Sequence, residues 1–319
     1  MSRSIEVTIQ VNDPDAHKSG SLTTNVELRS NTLFGAAVVP YAGTNNTWIS
    51  EIGRHEGDLG DLRILRSYDG GRPSEWATKS TVAGSRSPAI PGYDRHASWH
   101  SMKPAMDTNI ESWLYQYLDS IPVTGQPRWL TLWHEPEAKV KAGKFTWEEW
   151  ALQQERALDT IRDVQHPDVK FGPCFMAQWS LGDKPYHLPA LVAQGLHTWM
   201  SHADFIGWDV YHEDSRSHRY DKAFTPAYYL DPVVNYTANI LSDKPIAIGE
   251  TGMVPSAAGQ NVRGQWLKEY ADYAEANKFQ AVCYFDAHLE GEPDWRLRVD
   301  AQGVRDLASI AAWSEVYSR

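Results

Sequence analysis

Two glutamates in this 319-residue sequence stand where an apolar run turns polar. The run Trp-Leu-Thr-Leu-Trp-His-Glu-Pro-Glu reaches Glu135, and Pro-Ile-Ala-Ile-Gly-Glu-Thr-Gly reaches Glu250. A carboxyl pair is equipment for acid–base and nucleophilic chemistry, provided that the fold brings the two together and keeps one protonated while the other stays ionised. The run Gly-Trp-Asp-Val-Tyr-His sets Asp209 and Tyr211 on one strand face by its two-residue period, with Tyr211 at the end. No G-x-x-x-x-G-K phosphate loop and no G-x-S-x-G elbow occurs, which sets aside phosphate-loop and serine-hydrolase chemistry.

The elements that must position these residues alternate along the chain. Strand-like runs are expected at Leu33–Pro40, Leu62–Tyr68, Ala97–Lys103, Trp129–Glu135, Lys170–Trp179, Phe205–Tyr211, Pro245–Thr251 and Gln280–Asp286. Amphipathic helical patterns lie between them, at Thr108–Ser120, Thr146–Val164, Pro226–Leu241 and Val262–Asn277, with a last one at Asp306–Val316. Thr146 followed three residues later by Glu149 forms a capping box, and His166-Pro167 stops the same helix. Eight strands with intervening helices and no dinucleotide fingerprint predict an eight-stranded (β/α)8 barrel over residues 32–319. Residues 1–31 read as an N-terminal arm or short strand pair outside it. In such a barrel the functional residues sit at the C-terminal strand ends, and Glu135 and Glu250 then close the fourth and seventh strands.

At these positions the chain resembles the clan A glycoside hydrolases, whose acid/base and nucleophile are glutamates at the ends of strands 4 and 7. His134 before Glu135 resembles family 26 within that clan, the β-mannanase-like group. The resemblance implies that Glu135 is the acid/base, that Glu250 is the nucleophile and that Tyr211 hydrogen-bonds the nucleophile. It also implies that His134 and His100 touch the substrate and that Arg66 orients Glu250. Retaining cleavage of a glycosidic bond needs one protonated carboxyl to give its proton to the leaving oxygen and one ionised carboxyl to attack the anomeric carbon, about 5–5.5 Å apart; an inverting reaction needs about 6.5–9.5 Å. Glu137, close behind Glu135, is expected to raise the proton affinity of Glu135 by like-charge repulsion. The clan commonly ends strand 8 in a tryptophan, whereas Ala-Val-Cys-Tyr-Phe-Asp here leaves Tyr284, Phe285 or Trp295 to substitute. The implied activity is endo-acting hydrolysis of a β-linked polysaccharide or oligosaccharide. A rival of another class is a non-catalytic carbohydrate-binding barrel of a cell surface or virion, which has no need of both glutamates.

Composition agrees with a sugar ligand. Fourteen Trp and 15 Tyr stand against 8 Phe, an excess of rings that carry a polar handle. Trp133, Trp179, Trp208 and Trp295 are candidate stacking platforms, although large rings also fill barrel cores. The net charge of −11, with no basic run, lacks the footprint of nucleic-acid binding. The longest weakly polar stretch, Leu33–Ala42, is about half of what a bilayer requires. No cofactor or metal is expected. His197 and His202 lie near Asp204, but His96 and His100, at the i, i+4 spacing of a helical zinc pair, fall in a strand-like segment where such residues stand about 13 Å apart. The two cysteines, Cys174 and Cys283, read as buried thiols. No export signal is visible in residues 1–20, while the expected polymer lies outside cells. Neither the sugar nor the oligomeric state is legible.

Overall fold

The computed structural model describes residues 3–13, 18–28, 30–39, 48–69, 71–72, 97–106, 109–212, 225–241, 243–255, 260–289, 294–300 and 303–319, with backbone alone for 3–13, 18–28, 48, 49, 179 and 260. The strands β1 (Arg3–Asp13) and β2 (Lys18–Leu28) pair antiparallel as a separate two-stranded sheet. The barrel strands follow as β3 (Leu33–Val38), β4 (Ile64–Asp69), β5 (Ala97–Met102), β6 (Arg128–Leu132), β7 (Val169–Phe171), β8 (Cys174–Met176), β9 (Ile206–Tyr211), β10 (Ile246–Gly252) and β11 (Ala281–Asp286). All pair in parallel, in the order β7-β6-β5-β4-β3-β11-β10-β9-β8.

The two ends of that order, β7 and β8, are separated only by Gly172-Pro173, so nine segments make eight staves and the sheet closes on itself. The expected continuous strand Lys170–Trp179 is therefore corrected to two pieces and a helical turn. Pro173 has no N–H for a ladder, and a side chain at Gly172 would put its Cβ 2.2 Å from the Phe205 carbonyl oxygen. At this break the ladder changes partner: Gly172 N–H donates to the Leu130 carbonyl on one side, and Gly207 N–H donates to that of Pro173 on the other.

Helices α1 (Trp48–Leu59), α2 (Ile110–Asp119), α3 (Pro136–Lys141), α4 (Trp147–Val164), α5 (Ala177–Ser180), α6 (Leu188–Ala193), α7 (Pro226–Tyr236), α8 (Gln260–Ala276) and α9 (Leu307–Tyr317) complete the units. The capping box of α4 forms in both directions: Glu149 N–H donates to Thr146 Oγ1 at 3.1 Å, and Thr146 N–H to Glu149 Oε2 at 2.7 Å. The helix expected over Pro226–Leu241 instead changes to a π turn at Thr237–Leu241. Pro232 sits inside α7 and removes one ladder donor there. Among the described residues no helix is long and apolar enough to cross a membrane.

Strand parity sorts the buried side chains. Ile64, Ala97, Trp99, Trp129, Cys174, Phe205, Ala247, Ala281 and Cys283 fill the lower lumen. There the rings of Trp99, Trp129 and Phe205 lie 4.9–5.4 Å apart. Each such ring buries about 150–250 Å², which explains part of the tryptophan excess without any ligand. The opposite faces of the strands, with Leu130, Leu132, Phe175, Trp208 and Val210, pack under the helices.

Candidate active site

On β4 the two-residue period points Ile64, Arg66 and Tyr68 into the lumen, one above another. Arg66 is fully buried, and its Nη1 donates to Asp209 Oδ1 at 2.7 Å. The guanidinium lies 4.7 Å from the Trp99 ring centroid and 5.2 Å from that of Tyr68, so aromatic faces replace much of its hydration. Cys174 Sγ–H donates to the same Asp209 oxygen at 3.2 Å, while Asp209 Oδ2 has no hydrogen-bond partner. Burial pushes the Asp209 carboxyl up to about 7; the Arg66 charge pulls it down and the Glu250 charge adds to the rise.

Glu250 reaches the lumen through a bulge. The β10–β9 register shifts between Ile248 and Glu250, so Gly249 is the extra residue and Glu250 pairs with Asp209. Gly249 cannot carry a side chain: its Cβ would stand 1.6 Å from Arg66 Nη1. Both Glu250 oxygens are acceptors. Tyr68 Oη donates to Oε1 at 2.6 Å and Tyr211 Oη to Oε2 at 2.5 Å. Arg66 Nη2 stands 3.6 Å and His134 Nε2 3.9 Å from Oε1. Burial, with the nearby carboxylates, holds both phenols well above their usual range, so they remain donors.

Strand β6 stops at Leu132, short of the expected Glu135, because Trp133 and Glu135 take positive φ of 52° and 51°. Regular alternation would send Trp133 into the lumen. The positive φ turns it outward instead, where its Nε1 donates to the Pro104 carbonyl and its ring packs against Phe145. The same distortion lets His134 face Glu250. Burial, then the charges of Lys103, Arg66 and Lys139, keep His134 well below its usual range, hence neutral. Glu135, half-buried at the start of α3, is raised well above the usual carboxylate range by burial, then by the Glu250 and Asp209 charges, against Lys103 and Arg66. The like-charge repulsion expected between Glu135 and Glu137 is present and raises Glu137, whose side chain accepts from Ser180 Oγ, while the charges that raise Glu135 are those of Glu250 and Asp209.

Of the residues singled out in the sequence, the structure thus brings Glu135, Glu250, His134, Tyr211 and Arg66 together. It does not bring His100: the ring points outward from β5, between Asp69 Oδ2 at 3.2 Å and the Tyr117 hydroxyl at 3.2 Å on α2, and is fully buried. Trp208 also faces outward and donates to Thr237 Oγ1, and with Trp133 it is removed from the candidate platforms. Trp295 lies 4.7 Å from the Tyr211 ring, only 2% exposed. The Trp179 side chain and His96 lie outside what is described. Three neighbours had been given no role. Tyr68 shares the parity of Arg66, Lys103 shares that of Trp99 and Ser101, and Asp209 shares that of Tyr211.

His134, Asp209 and Glu250 each offer a donor atom within 4.8 Å of the others, a span suited to a metal ion. Part of this set is already engaged: two phenols donate to Glu250, Arg66 and Cys174 donate to Asp209 Oδ1, and the guanidinium lies beside both carboxylates, while Asp209 Oδ2 keeps no hydrogen-bond partner.

No protein-family model and no curated protein matches the sequence. Among solved structures the chain is similar to a glucosidase from Croceicoccus marinus, at TM-score 0.59 and 12% identity over 90% of this chain and 67% of that one. It is similar also to a family 39 glycoside hydrolase from Bacteroides cellulosilyticus WH2, at TM-score 0.56 and 12% identity over 99% and 70%. A third is an endo-β-1,3-glucanase of glycoside hydrolase family 128 from Sorangium cellulosum, at TM-score 0.53 and 16% identity over 88% and 98%. The chain shares the barrel fold of these glycosidases.

Proposed function

We propose that the protein is a retaining glycoside hydrolase acting within β-linked polysaccharide or oligosaccharide chains, with Glu135 as acid/base and Glu250 as nucleophile. The observation that carries this reading is the unequal treatment of the two glutamates at one lumen mouth. Burial and neighbouring carboxylates favour the protonated form of Glu135, whereas Glu250 receives two phenol hydrogen bonds and a guanidinium. That is the division of labour a glycosidic bond requires. Glu135 gives its proton to the leaving oxygen as Glu250 attacks the anomeric carbon and the glycosidic bond breaks. Glu135, now a carboxylate, takes a proton from water, whose oxygen attacks the same carbon and releases Glu250. The glycosidase neighbours of the fold support the reading by analogy. The His134-Glu135 pair favours family 26, and residues 32–319 form the catalytic unit in this reading, with residues 1–31 outside it.

Azide rescue separates the roles. With Glu250→Ala and an activated aryl glycoside, azide enters the vacated space and gives a glycosyl azide of inverted configuration. With Glu135→Ala, azide attacks the glycosyl-enzyme and gives the retained product. If neither substitution slows hydrolysis by about 10²-fold, the pair is not catalytic and a carbohydrate-binding barrel becomes the better account.

A further inference from the structure

Along β5 the lumen face ascends through Ala97 and Trp99 to Ser101, whose Oγ accepts from Arg66 Nη2 at 3.3 Å. Ser101 pairs with Tyr68 on β4. One residue past the end of β5, Lys103 N–H still donates to the Asp69 carbonyl at 3.1 Å, so the alternation of faces continues to Lys103. Its side chain therefore starts about 7 Å above Ser101, over the tier in which Tyr68 holds Glu250.

Lys103 is half-buried, yet among the described residues no carboxylate lies within ion-pair distance of its ammonium. The carboxyl groups of the mouth are engaged elsewhere: Glu250 accepts from two phenols, and the surroundings of Glu135 favour its protonated form. Burial lowers the proton affinity of Lys103, and the Glu135 and Glu250 charges, opposed by those of Lys139 and Arg66, do not make this good. Lys139, one turn past Glu135 on α3, is exposed and likewise has no carboxylate beside it among the described residues. Both lysine charges act on His134. The Glu135 side of the mouth thus presents two uncompensated cations on a chain whose net charge is −11. A partly desolvated charge without a counter-ion is a cost that an anion in the mouth would remove. The hydroxyls of a neutral sugar would accept its N–H bonds and leave the charge itself unbalanced.

We infer that Lys103 determines specificity for an oxyanion on the substrate: the glycan is an acidic one, with a carboxylate or sulfate on the unit bound beside Glu135. An ammonium is a compact charge without the planar fork of a guanidinium, so it accommodates either anion. Arg66 is not available for this task, because its donors are committed to Asp209 and Ser101 beneath Glu250. That the acidic glycan is cleaved rests on the glycosidase reading; that it binds at Lys103 does not.

Paired polysaccharides test this on the full chain. One pair is a uronate-containing glycan and its carboxyl-reduced derivative, and the other a sulfated glycan and its desulfated derivative. Reducing-end release gives kcat/KM for the native protein, and calorimetry on Glu250→Gln gives affinity. The acidic member of one pair should be favoured about tenfold or more in both measurements, and the pair that shows it identifies the anion. Lys103→Met should bring both ratios close to one, whereas Lys103→Arg should keep the preference. The ratio is the readout because Lys103→Met also alters the protonation of Glu135, and both members of a pair meet the same acid. Equal or better turnover of the neutral member, or a preference that Lys103→Met leaves unmoved, overturns the anion site and leaves the glycosidase standing. Lys103-dependent binding of an acidic glycan that the native protein does not hydrolyse overturns the glycosidase and leaves the anion site. Absence of binding to every acidic member overturns the anion site outright.

Discussion

Arg66 and Asp209 form a 2.7 Å ion pair in which neither side chain reaches solvent. Removing one partner of such a pair strands the other, so Asp209→Leu should cost about 3–5 kcal/mol, read as a lowered denaturation midpoint with unchanged slope. The pair also leaves a pH signature. Asp209 is pushed up to about 7 from an ordinary value of 3.8, first by burial. The folded chain therefore keeps this proton where the unfolded chain has released it. Its contribution to stability is complete below the unfolded value and is lost as pH rises through about 7. Denaturation of the native protein and of Asp209→Asn across this window should show the difference between them changing with pH; a constant difference would contradict it.

Tyr68→Phe and Tyr211→Phe each remove one phenol donor from Glu250. Each should lower kcat by up to about 10²–10³-fold, the range for loss of one donor to a developing oxyanion. Because both bonds end on one carboxylate, the double variant should depart from the product of the two single effects, which a double-mutant cycle on kcat measures.

The Lys103 charge favours the ionised form of Glu135 and so works against the burial that keeps this acid protonated. Lys103→Met removes that pull. The general acid then holds its proton to higher pH, and the basic limb of the kcat/KM profile should move upward; a downward shift or none would show that Glu135 does not govern that limb.

Gly249→Ala tests the bulge. A Cβ at 1.6 Å from Arg66 Nη1 must expel the guanidinium from under Glu250 or shift β10. Overpacking costs about 1–3 kcal/mol, and displacement of the buried charge adds to it, so a clear loss of stability together with a loss of kcat is expected.

How much of this was readable beforehand depends on strand parity. The strand ends and their polar residues were legible, and with them Glu135, Glu250, Tyr211 and Arg66. The face was not. In a barrel both faces of a parallel strand are buried, so apolar pattern alone does not say which points to the lumen. His100 and Trp208 consequently went to the wrong side, whereas Arg66 carried the right parity and Tyr68 could have been found from it. Trp133 was beyond reach for another reason: a positive φ at a non-glycine residue has no mark in sequence.

Tyr68 and Glu250 belong to staves that are not neighbours, since β3 and β11 run between β4 and β10. Their 2.6 Å hydrogen bond is thus a cross-brace over the lumen, with Tyr211 as a second stay. The group proposed to do the chemistry is at the same time part of the scaffold that sets the width of the opening. An inert Glu250→Ala protein, the usual surrogate for trapping a substrate complex, would lack both stays. Its complex would report the sugar bound to a slacker opening than the one that turns it over, whereas Glu250→Gln, which keeps one acceptor oxygen, would preserve more of the native span.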